Sequence, residues 1–171
     1  PVKYDPNTIY RLPVSKGKKT KAFMFDALKK DDASKIVWAL TLSANDTVFA
    51  CREGVVCMVN ESRFVNGFRS NENSIVVLHP DHSFGKYEVF ADSSLMVKLG
   101  DTIKCGSPIG KAGGVSNQEG AHLLFSVYYC NVRIDSIVDQ NIGNYYRYVD
   151  PLFETGKGKG SSLKVNEVYG K

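Results

Sequence analysis

A mainly β, antiparallel domain of sandwich or barrel type is the fold class that this sequence predicts, on three observations. Short runs of β-branched and large apolar residues recur about every eight to twelve residues, bounded by Gly, Asn, Asp or Ser. No long helical patterns alternate with them, which argues against a parallel α/β sheet. The chain also has enough apolar material for a core: 171 residues, 43% hydrophobic and 23% charged, unlike the composition of a disordered chain.

Each element has its own local signal. Residues 1–22 carry Pro1, Pro6, Pro13 and a lysine-rich run over Lys16–Lys21, which predicts an extended N-terminal arm. Ala22–Asp32 reads as a short helix, or as a strand followed by a turn. Strands are expected at Lys35–Leu42, ended by the Ser-Ala-Asn-Asp turn, then at Thr47–Ala50 and, after Arg52-Glu53-Gly54, at Gly54–Val59. Asn73–His79, Gly85–Ala91, Leu95–Leu99, Thr102–Cys105 and Ser107–Gly110 continue the series. His122–Ile134 is the longest apolar run and is expected to be one central strand continuing past a bend. Glu154–Ser162 is almost entirely Gly, Lys and Ser, a linker composition, and Leu163–Lys171 reads as a loosely attached tail. The expected division is a 1–22 arm, a 23–153 β domain and a 154–171 flexible tail.

The net charge of +4 is a solvated surface, and no interleaved aromatic and basic pattern points to nucleic acid. No stretch approaches the roughly 18 apolar residues that span a bilayer. The chain begins at Pro1, which a removed leader or a boundary upstream would explain. Cys51, Cys57, Cys105 and Cys130 form no CxxC pair, and both two disulfides and four free thiols stay open.

The most informative stretch is Val97–Gly110, VKLGDTIKCGSPIG. Gly100 and Gly106 sit between very short strands, where φ > 0 permits tight reversal. This hammerhead pattern resembles both the biotinyl or lipoyl carrier domains and the lysostaphin-type cell-wall zinc endopeptidases. A carrier domain needs an exposed lysine at a hairpin tip, and the chain has none at suitable spacing. Instead, Lys111–Val127 is a Gly-rich loop entering an apolar strand at Gly120-Ala121-His122, similar to the peptidases' H-x-H strand. Glu53–Val56, the SIVVLH strand, Tyr87, Tyr10–Pro13 and Val149–Leu152 extend the resemblance over Tyr10–Phe153. It implies the LytM-type fold with its duplicated hybrid motif.

The resemblance also implies a chemistry. A catalytic zinc takes about three protein ligands and a water; in that family these are an early histidine, an aspartate and the second histidine of H-x-H. Two further histidines, of Y-x-H and of the first place of H-x-H, act on the water or the oxyanion. Alternation by two aims both H-x-H rings into one groove. Here His122 stands at the first place and Leu124 at the second, the Y-x-H stretch reads Tyr87-Glu88-Val89, and no histidine precedes His79. Thr41 or Ala39 stands where the aspartate belongs. The expectation is therefore that zinc is absent, that His122 is a relic, and that Tyr87, Val89, His122 and Leu124 line a binding groove. Strand parity, counted from Tyr87, expects Glu88 to point away from it. His79 and His82 are expected in a solvated turn. Phe64 and Phe68, between arginines, are candidates for filling the cleft or for contact, and Asn144–Tyr148 for packing or contact.

The function so implied is a non-catalytic domain of the bacterial envelope, periplasmic or extracellular, binding peptidoglycan peptide or an envelope protein. Two alternatives stand beside it. One is an active zinc endopeptidase with rearranged ligands, which needs His79, His82 and His122 to converge. The other is a purely structural module whose groove is filled by its own side chains.

Overall fold

Alternating apolar residues build thirteen strands, and no helix, among residues 4–24, 35–61, 73–114, 120–130, 146–156 and 160–170, which the computed structural model describes. In chain order they are β1 (Ile9–Tyr10), β2 (Thr20–Met24), β3 (Trp38–Thr41), β4 (Thr47–Phe49), β5 (Gly54–Asn60), β6 (Ser74–Leu78) and β7 (Phe84–Glu88). Then come β8 (Thr102–Ile103), β9 (Pro108–Lys111), β10 (His122–Cys130), β11 (Tyr146–Val149), β12 (Leu152–Phe153) and β13 (Val168–Tyr169). The nine-stranded sheet runs β13-β2-β3-β10-β7-β6-β5-β8, with β11 also on β10, and all its pairings are antiparallel. Two small sheets, antiparallel β4-β9 and parallel β1-β12, complete the fold.

One face of the large sheet supplies Leu40, Ile75, Val77, Tyr87, Leu123, Phe125 and Val127 to the main core. Val48, Ala50, Ile109 and Ala112 of the β4-β9 layer pack into the same cluster, with Tyr10 and Phe153. The two hammerhead turns close by the same device. The Asp101 carboxylate accepts from Lys98 N (2.8 Å) and the Ser107 hydroxyl from Lys104 N (3.2 Å), beside Gly100 at φ 90° and Gly106 at φ 82°.

Three expectations need correction. Leu95–Leu99 is not a strand; it leads into the first hammerhead turn, tethered by a bond from Met96 N to Ile109 O at 3.0 Å. The N-terminal segment is not merely an arm: Tyr10, Leu12 and Val14 are buried in the core, and β2 is paired to β3. Nor is the C-terminal stretch loose, because Leu163 and Tyr169 join that core and β13 pairs with β2. Composition misled at both ends because the few large apolar residues, not the many polar ones, decide where a segment docks. Phe64, Phe68, Tyr145 and most of Ala22–Asp32 lie outside the described residues.

Candidate functional site

Residues paired across antiparallel strands share a face, so the register around β10 defines the site. His122 pairs with Thr41 and Leu124 with Ala39 on one flank; Leu124 pairs with Glu88 and Ser126 with Lys86 on the other. His122, Leu124 and Ser126 therefore share one face with Thr41, Ala39, Glu88 and Lys86. Phe125, opposite Trp38 and Tyr87, points into the main core. The structure thus reverses the parity expectation. Glu88 shares the face of Leu124, where it forms a 2.7 Å ion pair with Lys86, and Tyr87 points away. Counting from Tyr87 failed because Tyr87 itself is a core residue: its hydroxyl accepts from Cys51 N at 2.8 Å, and burial pushes its pKa well up.

Val89 departs from the alternation. It adopts φ 74°, a left-handed conformation that a β-branched side chain rarely takes. Its side chain packs on the site face with Leu124, Ala39 and Val37, and Phe23 packs against the group. Those four residues form a second, small apolar core. Ala39 is fully buried, and Leu124, at 6% exposure, is its most open member.

His122 stands at the edge of this cluster, 1% exposed. Its Nδ1 lies 2.7 Å from the Gly120 carbonyl oxygen; since that oxygen accepts, Nδ1 carries a proton. Its ring meets Phe23 edge-on at 6.2 Å, and its backbone N donates to Gly113 O at 3.3 Å. Trp38 anchors the VDPL segment to the sheet by donating Nε1–H to Asp150 Oδ1 at 2.8 Å.

His79 and His82 lie elsewhere. The β6-β7 hairpin turn carries them, beyond the Leu78–Phe84 pair, and Phe84 pairs with Tyr128 on β10. His122 is six residues away along that strand, about 20 Å at ~3.3 Å per residue. The three histidines do not converge. His79 is not in a solvated position either: it is 1% exposed, donates from Nδ1 to the Glu53 carbonyl at 2.8 Å, and burial lowers its pKa. His82 is exposed at φ 66°, the left-handed position of the turn. Asp81 closes that turn. It accepts from Ser83 Oγ (2.7 Å) and N (3.1 Å), and pairs with Arg52 at 2.7 Å.

An aromatic group extends the site face, and sequence reasoning did not tie it to His122. Tyr128 stacks on Phe84 at 5.4 Å and meets Tyr146 at 5.2 Å and Tyr148 at 5.5 Å. Tyr128 has the parity of His122, so continuing the count by two along β10 would have found it.

This all-β architecture, with its hammerhead turns beside a broad antiparallel sheet, is that of the lysostaphin-like peptidases. The model of peptidase family M23 matches residues 38–136, more than half of the sequence. The chain belongs to peptidase family M23. Its fold is similar to that of a zinc containing peptidase from Vibrio cholerae, at 20% identity and TM-score 0.52, over 70% of this chain and 36% of that one. It is also similar to the antimicrobial peptidase lysostaphin from Staphylococcus simulans, at 20% identity and TM-score 0.50, over 72% of this chain and 48% of that one. The chain thus spans less than two thirds of either structure. No curated protein sequence matches it.

Membership corrects one expectation. M23 peptidases are zinc-dependent, so zinc is the cofactor that the family implies, and the expected absence of a cofactor does not stand. The described residues do not themselves fit the three-ligand centre. No group of three or more His, Cys, Asp or Glu among them could hold a metal. Beside His122 the face carries Leu124, Ala39 and Thr41, and its carboxylate, Glu88, is ion-paired to Lys86. No helix among the described residues is long and apolar enough to cross a membrane.

Proposed function

We propose that this chain is a non-catalytic M23 domain of the bacterial envelope, periplasmic or extracellular, that binds the peptide part of peptidoglycan. The observation that supports it is the small apolar core of Val37, Ala39, Val89 and Leu124 on the face where the family keeps its polar machinery. Hydrolysis needs groups that polarise a carbonyl and activate water. The aliphatic side chains do neither, Glu88 is held by Lys86, and His122 is hydrogen-bonded through Nδ1 to Gly120 O. His122, Leu124 and Val89 pack beneath the binding face, Tyr87 supports it from the core side, and the contact surface is the aromatic group around Tyr128, with Tyr146 exposed. The family's action on peptidoglycan makes its cross-link peptide the ligand of first choice.

A second reading, a partner protein, is favoured by Tyr146, which is 53% exposed against Tyr128. Tyrosine offers large contact area with a polar end and is enriched at interfaces.

The test is cosedimentation with purified peptidoglycan sacculi, alongside a cleavage assay on cross-linked peptidoglycan with zinc supplied. Sedimentation without release of peptide fragments is expected, weakened by Tyr128→Ala. Zinc-dependent fragment release that a chelator stops sinks the non-catalytic reading. Failure to sediment sends the search to envelope proteins.

A further inference from the structure

Two of the four cysteines are brought together on the core side of the sheet, away from the site face, where Cys51 N donates to the Tyr87 hydroxyl. Beyond the end of β4, Ala50 lies opposite the second hammerhead turn. Ala50 N donates to Ser107 O at 2.8 Å and Gly106 N to Ala50 O at 2.8 Å. Cys51 directly follows Ala50 and Cys105 directly precedes Gly106, so the two cysteines flank this bonded pair. The Cys105 thiol accordingly donates to the Cys51 carbonyl oxygen at 3.4 Å, across 54 positions of sequence. Arg11 lies beside the pair: its N donates to that same carbonyl at 2.9 Å, and its guanidinium offsets only part of the rise in pKa that burial causes at both thiols. Cys51 is buried, whereas Cys105 is exposed.

We propose that Cys51 and Cys105 are a dithiol pair that closes to a disulfide in an oxidising compartment. The asymmetry in exposure sets the order of steps. The oxidant is a low-molecular-weight disulfide, such as glutathione disulfide. Cys105, as thiolate, attacks one of its sulfurs; a mixed disulfide forms at Cys105 and one glutathione thiolate leaves. Cys51 then loses its proton and attacks the Cys105 sulfur. The protein S–S bond forms and the second glutathione thiolate leaves. In total two protein thiols give up two electrons and two protons, and one glutathione disulfide is reduced to two thiols.

Cys51 is too enclosed to meet the oxidant directly, so Cys105 is the entry point and Cys51 the resolving thiol. Burial raises the pKa of both, and that of Cys51 strongly. Since the thiolate is the nucleophile, closure accelerates as pH rises. The link joins the second hammerhead turn to the segment leading into β5, and stabilises by constraining the unfolded chain.

The experiment takes the full chain, reduced, desalted and checked for native circular dichroism. It is incubated with glutathione disulfide at mildly alkaline pH, quenched with acid and digested without reductant. A peptide linking Cys51 to Cys105 is expected, with the four free thiols falling to two and a higher melting temperature. The Cys57→Ser/Cys130→Ser variant should behave in the same way. Cys105→Ser, changed at an exposed position, should lose both the link and the gain in melting temperature. Arrest of Cys105 as its glutathione adduct with Cys51 still free, or linkage to Cys57 or Cys130 instead, overturns the proposal.

Discussion

At the scale of single residues, Val89 carries the strongest conflict between backbone and side chain. Its left-handed φ of 74° costs a residue with a Cβ roughly 1–2 kcal/mol, while burying the isopropyl group against Leu124 and Val37 returns a comparable amount. At an ordinary buried strand position glycine is worse than alanine. Here the order should invert: Val89→Ala loses the packing and keeps the strain, whereas Val89→Gly loses both. Urea denaturation is expected to rank Val89→Gly above Val89→Ala by about 1 kcal/mol, and the opposite rank would show that the conformation is not costly.

His79 sets a pH dependence by the same kind of accounting. Burial lowers its folded pKa from an ordinary value of about 6.5. Its contribution is therefore complete above that value and is lost as pH falls, because the unfolded chain takes up a proton that the native site refuses. His79→Asn keeps a donor for the Glu53 carbonyl and removes the titration. Stability measured at about pH 7.5 and pH 5.5, on either side of that ordinary value, should fall less in the variant than in the parent. Equal losses would assign the acid sensitivity to other groups.

At the scale of elements, legibility followed the density of large apolar residues. β3, β5, β6, β7 and β10 announce themselves because β-branched and aromatic residues fill them and turn residues bound them. β1, β12 and β13 are two residues each, and no period is measurable in so short a run. Leu95–Leu99 has strand composition without strand structure, because it makes a single backbone bond to β9, from Met96 N to Ile109 O, before the chain turns at Gly100. The β13 pairing yields a prediction that composition alone would oppose. Tyr169 is buried, and its hydroxyl accepts from Lys164 N at 2.8 Å and donates to Glu167 at 2.8 Å. Deleting residues 160–171 exposes the surface that Leu163 and Tyr169 cover, at about 1.5–3 kcal/mol for each large side chain. A substantially lower melting temperature is expected; an unchanged one would restore the tail to a mere appendage.

At the scale of the whole molecule, fold and chemistry are separable. The sheet needs residues that fill the space above β10, whereas catalysis needs particular donors there. The hammerhead pattern and the His122 strand were therefore enough to read the family, since both are written locally. The setting of the site was not legible, because it depends on which residue faces which across β3, β10 and β7. Only the register shows that Ala39 sits directly opposite Leu124 and that Thr41 sits opposite His122. Ala39→Asp combined with Leu124→His would place a carboxylate and an imidazole beside His122 on one face, with directly paired Cβ atoms about 4.5–5.5 Å apart. Without metal, two polar groups on an aliphatic floor should destabilise the double variant. If the sheet still holds the family's geometry, added zinc should return stability in proportion to its binding, about 2.7 kcal/mol at a hundredfold excess over the dissociation constant. The measurement is the zinc-induced shift in melting temperature, in parent and variant side by side. A larger shift in the variant means that the register at β3 and β10 aims these positions at a common point. Equal shifts mean that the register at β3 and β10 no longer aims these positions at a common point.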